Sequence, residues 1–159
     1  MKIFTIGFAQ KSAEEFFNLL IQNKVECLID VRLNNSSQLA AFTKHKDLEY
    51  FLKTIAKINY IHNVKYAPTK NILDDYKKGK IARASPFNAS EQESWQDYEV
   101  QYNKLISNRK IENLFKNDVE NKYSNICFLC SESEPAQCHR RLLAEYLKNF
   151  SNDIEIVHL

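Results

Sequence analysis

Glycine is scarce in this 159-residue chain, which contains only Gly7 and Gly79. The glycine-rich P-loop and the GxGxxG loop need several glycines at fixed spacing, because their backbone must approach a phosphate closely. Neither motif can be formed here. The two common nucleotide-binding loops are therefore excluded.

Long apolar runs are also missing, since no stretch approaches the roughly 20 residues of a membrane-spanning helix. The first residues do not have the pattern of a secretory signal peptide. We therefore expect a cytoplasmic protein without a membrane partner. In that compartment the four cysteines are expected to be reduced thiols rather than a disulfide framework.

Charge of one sign is not in excess, because 22 basic residues face 20 acidic ones and leave a net charge of +2. A non-specific nucleic-acid binder would usually be more basic, so charge neither requires nor excludes such a partner. The chain is 44% hydrophobic and has no low-complexity tract or linker. We expect a single globular domain over residues 1–159.

Short apolar runs alternate with helical patterns along the chain. Ser12 and Glu15 form a capping box at the start of the first helix. A strand–helix–strand unit implies parallel strands with a right-handed crossover. We predict a single three-layer α/β domain with a mostly parallel, Rossmann-like sheet of about five strands in the order 3-2-1-4-5, flanked by helices. The predicted strands are residues 2–6, 25–31, 59–62, 125–129 and 154–157.

The remaining helices are predicted from caps and apolar spacing. One opens at Phe42, and a second is capped by Thr69 and ends at Gly79. Residues 81–92 lack any period and are interpreted as a surface loop. A further helix is expected from about Ser94, and another over residues 111–115. The aromatic stripe of the helix from Ser94 is assigned to the core rather than to a stacking surface; it comprises Trp95, Tyr98, Tyr102 and Leu105.

Chemically versatile residues are most concentrated between Cys130 and Arg141, at a strand-to-helix turn. In open α/β sheets ligands bind at this edge. Pro135 suits the first position of the helix, where its missing N–H costs nothing. Cys138 would then lie in the first helical turn, where free N–H groups and the helix dipole lower a thiol pKa and attract anions.

This segment supplies most of the candidate catalytic residues. Buried cysteines and histidines are usually packing residues, but here half of the cysteines lie close to one histidine. The predicted catalytic residues are Cys130, Glu132, Cys138 and His139, and Arg140 is predicted to bind an anion. In the alternative hypothesis the two cysteines and the histidine bind a soft metal such as zinc. Neighbouring residues chelate awkwardly from a helix, and no CxxC pair supplies a fourth ligand, so no metal ligand is assigned and the cofactor stays open.

A second group of polar residues begins with Asp30 and Arg32, which point to the same face of a strand because they are two residues apart. They form either an ion pair that closes the sheet end or a functional pair. In the functional pair Arg32 binds an anion, and Asp30 fixes it or accepts a proton. Three further residues, Ser37, Lys44 and Lys70, are added as candidate substrate-binding residues.

Several motifs together resemble the domain-of-unknown-function family 488. They are Thr5-Ile-Gly7-Phe, Asp30-Val-Arg32, Phe42-Thr-Lys44 and Leu129-Cys-Ser-Glu132…Pro135-Ala-Gln-Cys138-His139-Arg140. The resemblance implies a compact α/β domain with a site at these motifs, and it supplies no reaction. Other branches carry a Pro and a Ser-Arg pair after the Asp-Val-Arg motif. Here that second arginine is missing, and Lys44 or Lys70 would have to replace it.

The leading hypothesis is a small intracellular enzyme that acts on a phosphate-bearing or otherwise anionic substrate, such as a nucleotide or a nucleic-acid component. The alternative is a non-catalytic Cys/His module that binds a metal or senses redox state. The sequence leaves the reaction and the oligomeric state open.

Overall fold

The computed structural model describes residues 1–83, 91–119, 122–151 and 153–159, without the side chains of residues 79–83 and 91–93. Its sheet confirms the predicted α/β class, and every strand pairing is parallel. The strands are β1 (Lys2–Gly7), β2 (Cys27–Asp30), β3 (Asn59–His62), β4 (Asn125–Cys130) and β5 (Glu155–His158).

Helices connect these strands. They are α1 (Ala13–Gln22), α2 (His45–Phe51), α3 (Lys70–Arg83), α4 (Glu91–Asn108), α5 (Ile111–Val119) and α6 (His139–Lys148). A 3₁₀ segment, Gln38–Thr43, precedes α2, and a π-helical segment, Leu52–Ala56, continues it. The predicted cap of α1 is confirmed, because the Ser12 hydroxyl accepts the backbone N–H of Glu15 at 3.1 Å. None of the described helices is long and apolar enough to cross a membrane.

The strand order is β3-β2-β4-β1-β5, so the predicted order 3-2-1-4-5 is wrong. β4 lies between β1 and β2 and pairs with both. Its apolar run is buried at five of six positions, as expected for a strand covered on both faces. Burial does not distinguish the two orders, because β1 and β4 are both interior strands in either of them. The edge strands β3 and β5 are instead partly exposed.

Alternate side chains of the sheet enter two hydrophobic cores, which makes three layers. One core packs under α3 to α6 and includes Ile29 and Phe128. The other packs under α1 and α2 and includes Leu28 and Leu129. Trp95, Tyr98 and Tyr102 are all buried in the first core, which confirms the core assignment of the aromatic stripe.

The predicted start of α6 at Pro135 is wrong. The helix begins at His139, and Cys138 is its N-cap residue with an extended backbone at φ −140° and ψ 136°. The Cys138 N–H donates to the Pro135 carbonyl at 3.2 Å, which makes a turn before the helix. Cys138 therefore lies just outside the first helical turn.

Other helix boundaries also differ from prediction. Gly79 lies inside α3 and does not end it, because a single glycine costs only about 1 kcal/mol in a helix. Residues 81–83 belong to α3 and residues 91–92 to α4, while the rest of the predicted loop lies outside the described residues. The helix predicted from Phe42 begins at His45, after the 3₁₀ segment.

Candidate functional site

A cavity of about 530 Å³ opens where β2 and β4 end. Six of the ten predicted site residues line it: Arg32, Lys70, Cys130, Glu132, Cys138 and His139. The other four, Asp30, Ser37, Lys44 and Arg140, are not part of its lining. The structure thus brings three segments together around this cavity: the turn between β4 and α6, the end of β2 and the start of α3.

Cys130, Cys138 and His139 form a compact cluster, called here the Cys/His cluster. Cys130 ends β4, Cys138 caps α6, and His139 is the first residue of that helix. Their sulfur and ring-nitrogen atoms all lie within 4.8 Å of one another, and all three residues are buried. Because the backbone at Cys138 is extended rather than helical, two neighbouring residues can direct their side chains to the same point.

The ring of His139 is oriented by the backbone of the strand next to it. Its Nε2 lies 2.9 Å from the carbonyl oxygen of Val31, which can only accept, so Nε2–H is the donor. In the neutral imidazole the free lone pair is then on Nδ1, 3.8 Å from the Cys130 sulfur. Nδ1 is thus the ring nitrogen without a backbone partner, and the Cys130 sulfur is nearly equidistant from the two nitrogens, 3.8 Å from Nδ1 and 3.9 Å from Nε2.

The two thiols of the cluster have opposite acidities. A hydrogen bond from the Cys130 thiol holds the pKa of Cys138 well below its usual value against the opposing effect of burial, and His139 and Arg140 lower it further. The same hydrogen bond, together with burial, raises the pKa of Cys130 well above its usual value. Of the two thiols, Cys138 is therefore the one whose ionisation is favoured.

Cys27 and Cys127 behave differently from this pair. Burial raises the pKa of Cys27 to about 12 and also raises that of Cys127. Both lie within strands of the sheet. They remain protonated at neutral pH.

Arg140 is fully buried beneath the loop between β4 and α6. Its Nη2 donates to the Ser133 carbonyl at 2.9 Å, and its Nη1 donates to the Glu132 carbonyl. No carboxylate of the described chain forms a salt bridge with it, and its Nε has no hydrogen-bond partner there. Arg140 thus holds the loop and adds positive charge next to the thiols.

Gly7 packs against the loop between β4 and α6, a role that was not predicted from the sequence. A Cβ atom at this position would lie only 1.6 Å from the Glu132 carbonyl oxygen and 3.2 Å from Nη1 of Arg140. Only glycine lets the end of β1 approach the loop this closely. The signal in the sequence was its position at the end of a buried strand.

Asp30 and Arg32 form a bidentate ion pair that is almost completely buried. Nε and Nη2 of Arg32 donate to the two carboxylate oxygens at 2.8 and 2.7 Å. Burial alone would raise the pKa of Asp30, but the hydrogen bonds and charge of Arg32 outweigh it and lower that pKa. Asp30 is therefore held in its ionised form.

The partners of this ion pair were not predicted from the sequence. Tyr60 Oη and Asn35 Nδ2 also donate to Asp30, at 2.8 and 3.1 Å. Thr43 accepts two further hydrogen bonds from Arg32, through its hydroxyl and its carbonyl. The carboxylate is thus surrounded by donors of the protein, while Arg32 also borders the cavity.

Basic residues fall into two groups around the site. Lys70, the first residue of α3, lines the cavity together with Lys77, which the sequence analysis did not single out. Lys44 instead ends the 3₁₀ segment that Ser37 caps by accepting the N–H of Leu39 at 3.2 Å. Of the two lysines considered as replacements for the missing arginine, only Lys70 reaches the cavity.

Comparison with known families supports the suspected family. The family model described as "Domain of unknown function DUF488" matches residues 12–147, a range that extends from the cap of α1 nearly to the end of α6. No significant match was found among curated proteins or among solved structures. The match covers most of the chain, and the chain therefore belongs to the domain-of-unknown-function family DUF488.

Proposed function

We propose that this protein is a small enzyme that acts on a phosphate-bearing or otherwise anionic substrate, such as a nucleotide or a nucleic-acid component. One observation carries the proposal. The Cys/His cluster and three cationic side chains, Arg32, Lys70 and Lys77, line the same cavity. Its volume of about 530 Å³ falls within the range of small-molecule sites.

The anionic group of the substrate binds between Arg32 and Lys70. Lys70 begins α3, and the Thr69 hydroxyl caps that helix by accepting the N–H of Ile72 at 3.4 Å. The positive end of the helix dipole adds to the charge of the lysine. Arg140 acts indirectly, because it holds the loop and offsets the charge of the thiolate.

The reacting group is the Cys138 thiolate. A thiolate is the nucleophilic form of cysteine, and Cys138 is the one cysteine of the described chain with a lowered pKa. His139 and Glu132 border the same cavity and transfer protons as general acid or base. An apolar wall that includes Tyr76 and Trp95 contacts the uncharged part of the substrate.

Binding of nucleoside monophosphates tests this proposal, and the single tryptophan, Trp95, serves as a fluorescent reporter in the cavity wall. The ligands should change its fluorescence, and Lys70→Met should weaken binding by 1.5–3 kcal/mol, or roughly 10- to 150-fold. Lys44→Met is the matched control and should bind like the parent, since Lys44 does not line the cavity. Equal binding by the parent and Lys70→Met would rule out this anion site.

The second candidate is a non-catalytic redox-sensing module, which the proximity of the Cys130 and Cys138 sulfur atoms favours. Hydrogen peroxide would oxidise the two thiols to one disulfide and be reduced to two molecules of water. In this case oxidised protein should contain a Cys130–Cys138 disulfide on peptide mapping, and nucleoside monophosphates should leave Trp95 fluorescence unchanged. The fluorescence measurement therefore separates the two candidates.

A further inference from the structure

The Cys/His cluster has the composition of a soft-metal site. Two thiols and one imidazole are the donors that zinc prefers in proteins. We propose that Cys130, Cys138 and His139 bind a soft divalent cation, with Zn²⁺ as the reference ion. This inference goes beyond the proposed enzyme and stands on the geometry of the three side chains.

The distances suit a tetrahedral ion. Zinc bonds of about 2.3 Å to sulfur and 2.0–2.1 Å to nitrogen place two sulfurs about 3.8 Å apart and a sulfur and a nitrogen about 3.6 Å apart. The Cys130 sulfur and Nδ1 of His139 are 3.8 Å apart. All three donor atoms lie within 4.8 Å of one another, so side-chain shifts on the order of 1 Å are sufficient.

A second observation concerns the orientation of His139. Histidines that bind metals usually donate their other ring N–H to a carbonyl or a carboxylate, which fixes the tautomer. Here Nε2–H donates to the Val31 carbonyl at 2.9 Å, which leaves Nδ1 as the ring nitrogen free to bind a metal. The Cys130 sulfur lies 3.8 Å from Nδ1 and 3.9 Å from Nε2, so a small rotation of a side chain brings Nδ1 and the sulfur to one ion. The outer partner of a metal-binding histidine is therefore already in place.

The backbone removes the main objection to chelation by neighbouring residues. Cys138 has an extended conformation before α6, so its side chain and that of His139 reach the same point. The cluster offers three ligands, and each of these residues also borders the cavity. Three protein ligands with a fourth position open to a cavity are typical of catalytic rather than structural zinc sites.

Metal binding and the thiol chemistry of the proposed enzyme exclude each other. A bound ion takes both sulfurs as thiolate ligands, so Cys138 is no longer a free nucleophile. Zinc should therefore suppress alkylation of Cys138 and leave Cys27 and Cys127 unaffected. The loss of catalysis on metal binding rests on the proposed function. The loss of alkylation does not, because alkylation needs no substrate.

The experiment is a titration of reduced, chelator-treated protein with Co²⁺ and then Zn²⁺. We expect one Co²⁺ per chain with thiolate-to-metal charge-transfer absorption, and we expect zinc to displace it. Loss of an outer partner typically weakens metal binding 10- to 100-fold, so loss of a ligand in Cys138→Ser or His139→Gln should weaken it by roughly 100-fold or more. Cys127→Ser is the control, since this buried thiol belongs to the core on the opposite face of the sheet and should bind like the parent.

Three results would overturn the inference: no charge-transfer band in the parent, unchanged binding in Cys138→Ser, or an equal loss in Cys127→Ser. If the cluster variants do not fold, peptide mapping of the alkylated parent with and without zinc decides, and absence of protection at Cys138 overturns the inference. If the metal titration fails but Lys70→Met still weakens nucleotide binding, the metal site is overturned and the anion site is retained. If nucleotides do not bind but the charge-transfer band is present, the proposed anion site is overturned and the metal site is retained.

Discussion

At the scale of single residues, the four cysteines show how position decides chemistry. Cys27 and Cys127 lie within strands, where burial raises both pKa values. Cys130 and Cys138 are just as buried, but they share a hydrogen bond beside His139 and Arg140. The sequence singled out residues 130–141 through their concentration of cysteine and histidine. It could not show which thiol gives up its proton, because that depends on the contact between the two sulfurs.

Alkylation rates should reveal this difference. In chelator-treated protein at neutral pH, iodoacetamide should modify Cys138 faster than Cys27 or Cys127, because the reaction rate follows the thiolate fraction. The Cys138 rate should fall only when the pH drops through its lowered pKa, whereas Cys27 should become reactive only towards pH 12. Mass spectrometry of peptides at several time points gives the rates. Equal rates for the three thiols would contradict the thiolate assignment.

Arg32 and Glu132 should respond differently to neutral substitution. Arg32→Met leaves Asp30 buried without its cation and should lower the free energy of unfolding by roughly 3–5 kcal/mol. Glu132 is exposed, so Glu132→Gln should stay within about 0.5 kcal/mol of the parent. Denaturant unfolding measures both, and Leu143→Ala, a fully buried position of α6, provides a reference loss of about 2–5 kcal/mol. A stable Arg32→Met protein would show that the ion pair contributes little to folding.

At the scale of elements, the sequence predicted those features that local patterns determine. The strand at residues 59–62 and the Ser12 cap are found as predicted. The start of α6 was misplaced because tertiary contacts decide it. Arg140 holds the carbonyls of the preceding loop, and Pro135 takes part in a turn instead of opening the helix. No local pattern reports such contacts, although they bring Cys138 and His139 together.

Gly7→Ala tests the close approach of β1 to this loop. The added Cβ would overlap the Glu132 carbonyl, so the loop must shift, at a cost of about 1–3 kcal/mol that is typical of overpacking. The shift should also weaken the contact of Arg140 with the loop and slow alkylation of Cys138. Unfolding experiments and alkylation rates measure the two effects. A variant with the stability and the Cys138 reactivity of the parent would contradict the proposed packing.

At the scale of the whole molecule, the strand order brings the two groups of polar residues together. The predicted order placed β1 between β2 and β4. In the structure β2 and β4 are direct neighbours, Asp30 pairs with Leu129, and His139 donates to Val31. Strand order cannot be deduced from one sequence, since each strand pattern is compatible with several neighbours. The contact between the two motifs is therefore a result of the structure.

This arrangement makes a prediction for ligand binding. Besides Trp95 and Tyr98 of α4, three segments border the cavity, namely residues 32–34 after β2, residues 68–77 around the start of α3, and residues 130–139. A nucleoside monophosphate bound inside it should slow amide hydrogen exchange in all three at once, by up to about 100-fold at a ligand concentration of 100 Kd. Exchange in α1, which borders no part of the cavity, should not change and serves as the internal control. Because surface binding at the N-terminus of α3 would protect that segment alone, protection confined to residues 68–77 would show that the anion does not enter the cavity.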